Sequence, residues 1–201
     1  MRLIQSVIYF VMDILETVVF VGSIFMVMYI FLIQPNQVKG QSMTHTFEDQ
    51  DYIFTSKITY KLRKPERGDV VVFHAPKKPG QDFDIEYIKR VIGLPGDTIM
   101  FKNCSENFGE PVNCDLFLNG EKQTESYIRE KSKLFSNSLY KQDELVKVPE
   151  DTLFLMGDNR PGSLDSRVFG PVKQSEIIGV VFFRYLPVAS AGWISHPTPS
   201  K

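Results

Sequence analysis

Residues 17–34, TVVFVGSIFMVMYIFLIQ, carry no charge and are mostly Val, Ile, Phe and Met. As a helix rising 1.5 Å per residue, this run reaches about 27 Å, enough to cross a bilayer core. Ahead of it, Gln5, Tyr9, Asp13 and Glu16 recur at spacings of three and four, with Ile4, Ile8, Met12 and Leu15 between them. That pattern predicts either an amphipathic lead-in helix over residues 1–16 or the first turns of one longer helix. The basic start, short apolar core and small-residue cut site of a cleaved leader are missing. The run reads as an anchor, with a buried core helix as the alternative.

After Pro35 the pattern changes to short runs rich in Val, Ile, Phe, Tyr and Thr, at 51–60, 69–75, 86–93, 97–103, 115–123, 152–158 and 177–187. Turns separate them, so they predict β-strands. Asn119-Gly120 sits where a tight hairpin turn belongs. Residues 122–150 are the exception, being highly polar, and they read as a surface excursion within an insertion at about 104–150. The predicted organisation is a lead-in (1–16), a transmembrane anchor (17–34) and an exported, mainly β body (35–201).

The chain has 201 residues, 23 basic and 24 acidic, for a net charge of −1, which gives no reason to propose a nucleic-acid partner. Its two cysteines, Cys104 and Cys114, flank a polar stretch holding Gly109 and Pro111. That stretch can turn back and bring the sulfurs together, and no histidine lies nearby to complete a zinc set. A disulfide closing a short loop is the better reading, with two free thiols as the alternative. A disulfide would place the body in an oxidising compartment and give the anchor its direction, with a short cytosolic N-terminus.

Four stretches carry candidate chemistry: QPNQVKGQSM (34–43), RGDVVVF (67–73), YIKRVIGLPGD (87–97) and GDNRPGSLDSRVFGPV (157–172). Each alone passes as turn or loop material. Their combination includes a Ser-Met just beyond an anchor and a lysine, Lys89, inside an apolar strand. In that order the four boxes resemble those of the bacterial type I signal peptidases, membrane-anchored Ser–Lys proteases. The likeness covers about residues 31–187.

The resemblance implies the β fold that signal peptidases share with LexA-like self-cleaving repressors, set on an N-terminal transmembrane helix. It implies Ser42 as nucleophile, Lys89 as general base and Ser163 as the hydroxyl that orients the lysine amine. Arg90 would pair with Asp158, and Asp165 with Arg167, bracing the site. The backbone N–H of Ser42 would meet the oxyanion. Shallow pockets for small residues, typically Ala, at the first and third positions before the cut would be lined near Val38, Met43, Ile53, Val72 and Ile88. No metal or organic cofactor is implied. The partners implied are signal peptides of exported preproteins and the lipid bilayer. The protein is expected as a single-pass monomer in the bacterial plasma membrane, with its catalytic body on the outer (periplasmic) side.

The chain departs from the family pattern in three places. His45 stands where the family usually has proline, Gly40 where some members carry a serine oxyanion donor, and Pro161-Gly162 precedes Ser163. His45 also offers a competing base, as in a Ser–His–Asp triad. It lies too near Ser42 along the chain to face it without a tight turn, and His74 and His196 have no motif around them. Lys89 carries the opposite difficulty, because a free lysine with pKa about 10.4 is neutral about once in a thousand near pH 7.4. Burial between Tyr87, Ile88, Val91 and Ile92 would lower that value. Alternatives to a general signal peptidase are a Ser–Lys protease with another substrate, as in the repressors or plasmid-transfer peptidases, and an inactive envelope scaffold.

Overall fold

The computed structural model describes residues 2–77, 84–107 and 110–197. A single helix, α1 (Arg2–Phe31), merges the lead-in and the anchor into one element. Its segment Ile4–Phe31 is long and apolar enough to cross a membrane, and none of it is buried against the body. The hydroxyls of Thr17 and Ser23 donate back to the carbonyls of Asp13 and Val19, so neither needs a solvent partner. The helix stops earlier than the apolar run suggests. Ile33 and Gln34, read from sequence as part of the anchor, belong instead to strand β1 (Ile33–Gln37). Pro35 explains this, because it lacks an N–H and forces the residue before it out of the helical region.

The body contains β2 (Tyr52–Ser56), α2 (Thr59–Leu62), β3 (Val70–His74), β4 (Glu86–Gly93), β5 (Thr98–Lys102), β6 (Ser105–Asn107) and β7 (Glu110–Val112). There follow β8 (Asp115–Leu118), β9 (Glu121–Lys122), β10 (Val146–Lys147), β11 (Thr152–Met156), α3 (Ser166–Phe169), β12 (Val172–Lys173), β13 (Ile177–Leu186) and β14 (Gly192–Trp193). The large sheet runs β1-β2-β13-β3-β4-β11-β12, with β14 on β13; a smaller one runs β10-β5-β8-β9, and β6-β7 is a separate hairpin. Pro35 is tolerated because β1 is an edge strand of the large sheet. The predicted run at 51–60 is strand only to Ser56. Lys57 then donates to Leu32 O (2.9 Å), stitching the end of β2 to the end of α1 before the chain coils into α2.

Two apolar clusters position the site. Val38, Met43, Phe47, Ile53, Val70, Val72, Ile88 and Val181 pack under the loop that follows β1. Ile92, Ile99, Phe101, Leu116, Leu134, Val148, Phe154 and Met156 fill the space beneath the smaller sheet. Leu134 and Val148 belong to the polar stretch 122–150, so that largely exposed stretch is pinned to the core at these two points. Leu134 and Val148 plug the core while Leu139 and Leu145 stay exposed, and Cys114 N donates to Ser132 O (2.8 Å) to tie the stretch down. Isolated plugs of this kind leave no period to read. Cys104 and Cys114 are bonded. Gly109, invoked for the turn between them, lies outside the described residues. Asn119 (φ 53°) and Gly120 (φ 83°) form the β8–β9 turn with the left-handed backbone that an Asn-Gly hairpin favours.

Candidate active site

Ser42 sits in the loop between β1 and β2. Gly40 adopts φ +89° and donates its N–H to Asp49 Oδ1 (2.7 Å), which starts the loop's turn. Phe47 N then donates to Met43 O (2.8 Å), and the side chains of Met43 and Phe47 are buried in the core below. These two pegs hold Ser42 on the open side of the loop.

Lys89 comes from the middle of β4, between Ile88 and Arg90. Its ammonium nitrogen lies 2.7 Å from Ser42 Oγ and donates to Ile88 O (2.8 Å). Only 3% of Lys89 is exposed. Burial pushes its pKa down to about 8, although the carboxylates of Asp165 and Asp158 work against that shift; Arg167 reinforces it.

The segment after β11 closes the site from the other side. Asn159 N donates to Ser42 O (3.1 Å), and Asn159 Nδ2 donates to Gln41 O (3.0 Å). Asp158 accepts from Arg90 Nε (2.9 Å) and Nη2 (2.7 Å), with both side chains buried. Thr46 donates to the same carboxylate, linking the serine loop to this ion pair. Arg167 Nε and Nη2 grip both oxygens of Asp165 (2.8 and 2.7 Å), which also accepts from Gly157 N (3.1 Å). Burial pushes the Asp165 carboxyl up, but Arg167 and the Gly157 N–H override it and hold the group below the usual carboxylate range.

A cleft of about 700 Å³ runs from Pro35 to Ser42 along one wall and from Asp84 to Lys89 along the other. Val38, Ile53, Val72 and Ile88, which the resemblance put near substrate pockets, line it. Met43 does not, because its side chain is turned inward as a peg, 1% exposed. Ser163 also differs from expectation. It is buried, yet its Oγ makes no hydrogen bond among the described residues, and Lys89 directs two of its three ammonium donors to Ser42 and Ile88. His45 is exposed and makes no bond to Ser42 among the described contacts. Its φ of +93° is one that proline cannot adopt, so the loop's backbone here is fitted to a residue other than the family's usual one. His196 Nδ1 accepts from Val70 N (3.3 Å), and the buried His74 Nδ1 has no hydrogen-bond partner among the described residues.

Residues 11–186 match the family described as "Signal peptidase, peptidase S26". The chain belongs to this family, as a type I signal peptidase of the bacterial kind. Signal peptidase IB of Staphylococcus aureus (strain MRSA252) is 31% identical over 94% of this chain and 98% of its own length. Signal peptidase I of Bacillus caldolyticus is 39% identical over 79% of this chain and 82% of its own. A crystal structure of a signal peptidase I from Enterococcus faecalis V583 is 34% identical, covering 59% of this chain and 97% of that one, with a TM-score of 0.40.

Sequence reasoning passed over three residues that brace this signal peptidase's site. The Arg160 guanidinium is fully buried and grips Glu125, while the Arg90 guanidinium lies over the Tyr127 ring, 4.2 Å from its centroid. Glu125 and Tyr127 come from the polar stretch 122–150. The available signal was Arg160 itself, an arginine in a box whose partners Asp158 and Asp165 were already taken.

Proposed function

We propose that this chain is a membrane-anchored serine endopeptidase that cleaves signal peptides from exported preproteins, with Ser42 as nucleophile and Lys89 as general base. The observation that carries the reading is the 2.7 Å contact between Lys89 Nζ and Ser42 Oγ inside the cleft. Family membership supplies the substrate class, and α1 fits the anchor.

The chemistry follows from that contact. With a pKa of about 8, roughly one lysine in five is neutral at pH 7.4, against about one in a thousand for a free side chain. The neutral amine's lone pair accepts the Ser42 proton as Oγ attacks the scissile carbonyl. The resulting oxyanion is met by the Ser42 N–H; one such donor is worth about 2.7–4 kcal/mol. Lys89 then returns the proton to the leaving amine, and the ester left on Ser42 is hydrolysed by water activated by the same lysine.

The cleft suits an extended peptide. β3 pairs with one edge of β4, whereas β11 meets the other edge only at Arg90, Val91 and Gly93. Among the described residues, Glu86–Lys89 therefore offers an unpaired strand edge to which a substrate can add. Val38, Ile53, Val72 and Ile88 make the floor apolar and shallow, which suits small side chains. The Cys104–Cys114 bond supports a body on the outer side of the membrane.

Incubating the detergent-solubilised protein with a preprotein, beside a Ser42→Ala control, tests the reading. The expected product is one cut after a small-x-small sequence, absent in the control. Processing that survives in Ser42→Ala contradicts it.

A further inference from the structure

The far end of the cleft is acidic. Glu86 opens β4 and is exposed, lining the wall that faces Asn36. Asn36 Nδ2 donates to Glu86 Oε2 (3.0 Å), and Gln34 Nε2 stands 3.5 Å from both carboxylate oxygens. These amides aim the carboxylate without neutralising it. Its cross-strand neighbour on β3 is His74. The nearby carboxylate of Asp84 is occupied by Lys77 (2.9 Å), whereas Glu86 has no ion-pair partner among the described residues. An ionised carboxylate offers about four acceptor sites, so capacity remains for a further cation. The cleft's exposed cation, Lys39, stands on the facing wall, three residues nearer Ser42 along the chain.

The sheet register says which part of a substrate meets Glu86. Ile33, next to the end of α1, pairs with Ser56; Ser56 pairs with Val180; and moving on in that direction, Ile177 pairs with Phe73 and His74 with Glu86. Glu86 therefore lies at the membrane end of the cleft, and Ser42 at the other. A signal peptide's apolar helix lies in the membrane and precedes the cut, so the residues before the cut run from Ser42 towards Glu86. Ile88 and Glu86 lie two residues apart on one face of β4, about 6.7 Å along the strand. Side chains entering the apolar floor beside Ile88 are the first and third before the cut. The next on that face is the fifth.

We propose that Glu86, held by Asn36 and Gln34, forms an acidic subsite that favours a cationic residue, lysine or arginine, at the fifth position before the cut. The proposal rests on the function argued above and names a substrate preference of that same site. Glu86 is solvent-exposed, so the preference has the size of a surface ion pair, about two- to fivefold in kcat/KM. It weakens as salt is raised.

The test uses the full-length protein in zwitterionic detergent micelles at low ionic strength. Three substrates carry Ala at the first and third positions and differ only in having Lys, Gln or Glu at the fifth. The expected order of kcat/KM is Lys, then Gln, then Glu, with about two- to fivefold between the extremes. Glu86→Gln should bring the Lys-to-Glu ratio close to one, and Glu86→Lys should invert it. A purely structural role for Glu86 would change all three rates by one factor and leave the ratio intact, which overturns the proposal. So would a flat ratio in the active wild-type enzyme. Failure to cleave any of the three substrates would instead contradict the function itself.

Discussion

Gly157 is packed so closely against Ser42 that a methyl group at its Cα would fall 2.4 Å from the Ser42 carbonyl oxygen. The same methyl would lie 2.3 Å from Ser163 Oγ. The backbone of the segment after β11 therefore forms the back of the serine loop, with Asn159 N bonded to that carbonyl. Gly157→Ala should displace Ser42 from Lys89, and a displacement near 1 Å costs about a hundredfold in rate. Steady-state kcat is the readout, with circular dichroism to show that the fold is retained. A variant with wild-type kcat would mean that the loop does not depend on this contact.

Glu125 and Arg160, which do not line the cleft, predict a stability effect. Removing one partner of a buried pair leaves the other charge uncompensated, at a cost of about 3–5 kcal/mol. Glu125→Ala should lose that much in denaturant unfolding, and Glu125→Gln less. Burial raises the Glu125 carboxyl, but Arg160 outweighs it and holds the group below its ordinary range. Asp165 is depressed in the same sense. A depressed carboxylate contributes stability above its unfolded pKa of about 4 and loses it as pH falls through the folded value. Wild-type stability should therefore drop below about pH 4, and less steeply in Glu125→Gln.

The Cys104–Cys114 bond closes a loop with a sequence separation of 10. Chain entropy assigns such a closure about 2–3 kcal/mol. Cys104→Ser should lower unfolding stability by that amount and leave kcat close to wild type, since the β6–β7 hairpin is separate from the sheet that carries Lys89. Thiol labelling of envelope-derived protein without prior reduction should leave both cysteines unmodified. Full labelling would contradict the bond and remove the support it gives to an outward-facing body.

The strands were legible in sequence because each left a local mark, whereas the pairing of Lys89 with Ser42 came from the resemblance of the four boxes. Val70–His74 and Glu86–Gly93 are continuous β-type runs, and a lysine inside one of them stands out. The four boxes appear in order and carried the rest. What escaped were features fixed only by tertiary structure. Leu134 and Val148 are buried apolar residues in a polar stretch, with no period to betray their burial. Met43 and Ser42 are chain neighbours, yet one is a peg and the other faces the cleft; the turn that separates them is set by long-range packing of Phe47 and Ile53. Ser163 was placed on the lysine by analogy, and its actual surroundings depend on how Arg160–Gly162 coils ahead of it.

His45 and Lys89 make opposite predictions as candidate bases. His45 is exposed and out of contact with Ser42, so His45→Ala should retain most of the activity in a preprotein assay. The same variant being as inactive as Ser42→Ala would return the imidazole to the mechanism. Lys89 also carries a stability signature. Its folded pKa of about 8 lies below the unfolded value near 10.5, so the buried ammonium is destabilising at neutral pH. That cost, up to about 3 kcal/mol from the shift, is fully present below pH 8 and is relieved as pH rises towards 10.5. Lys89→Met should be more stable than wild type at pH 7, with the difference shrinking above pH 8.

Initial rate against pH on one preprotein, for wild type beside Lys89→Arg and Lys89→Met, tests the Ser42–Lys89 mechanism most directly. The wild-type rate should rise with pH through an apparent pKa of about 8 as the ammonium releases its proton. Both variants should be inactive at every pH, because a guanidinium with a pKa above about 12 keeps its charge and cannot accept the serine proton. A lysine that served only to balance Asp158 and Asp165 would be partly replaced by arginine. Substantial activity in Lys89→Arg, or a wild-type profile flat between pH 6 and 9, would contradict the assignment of Lys89 as the base.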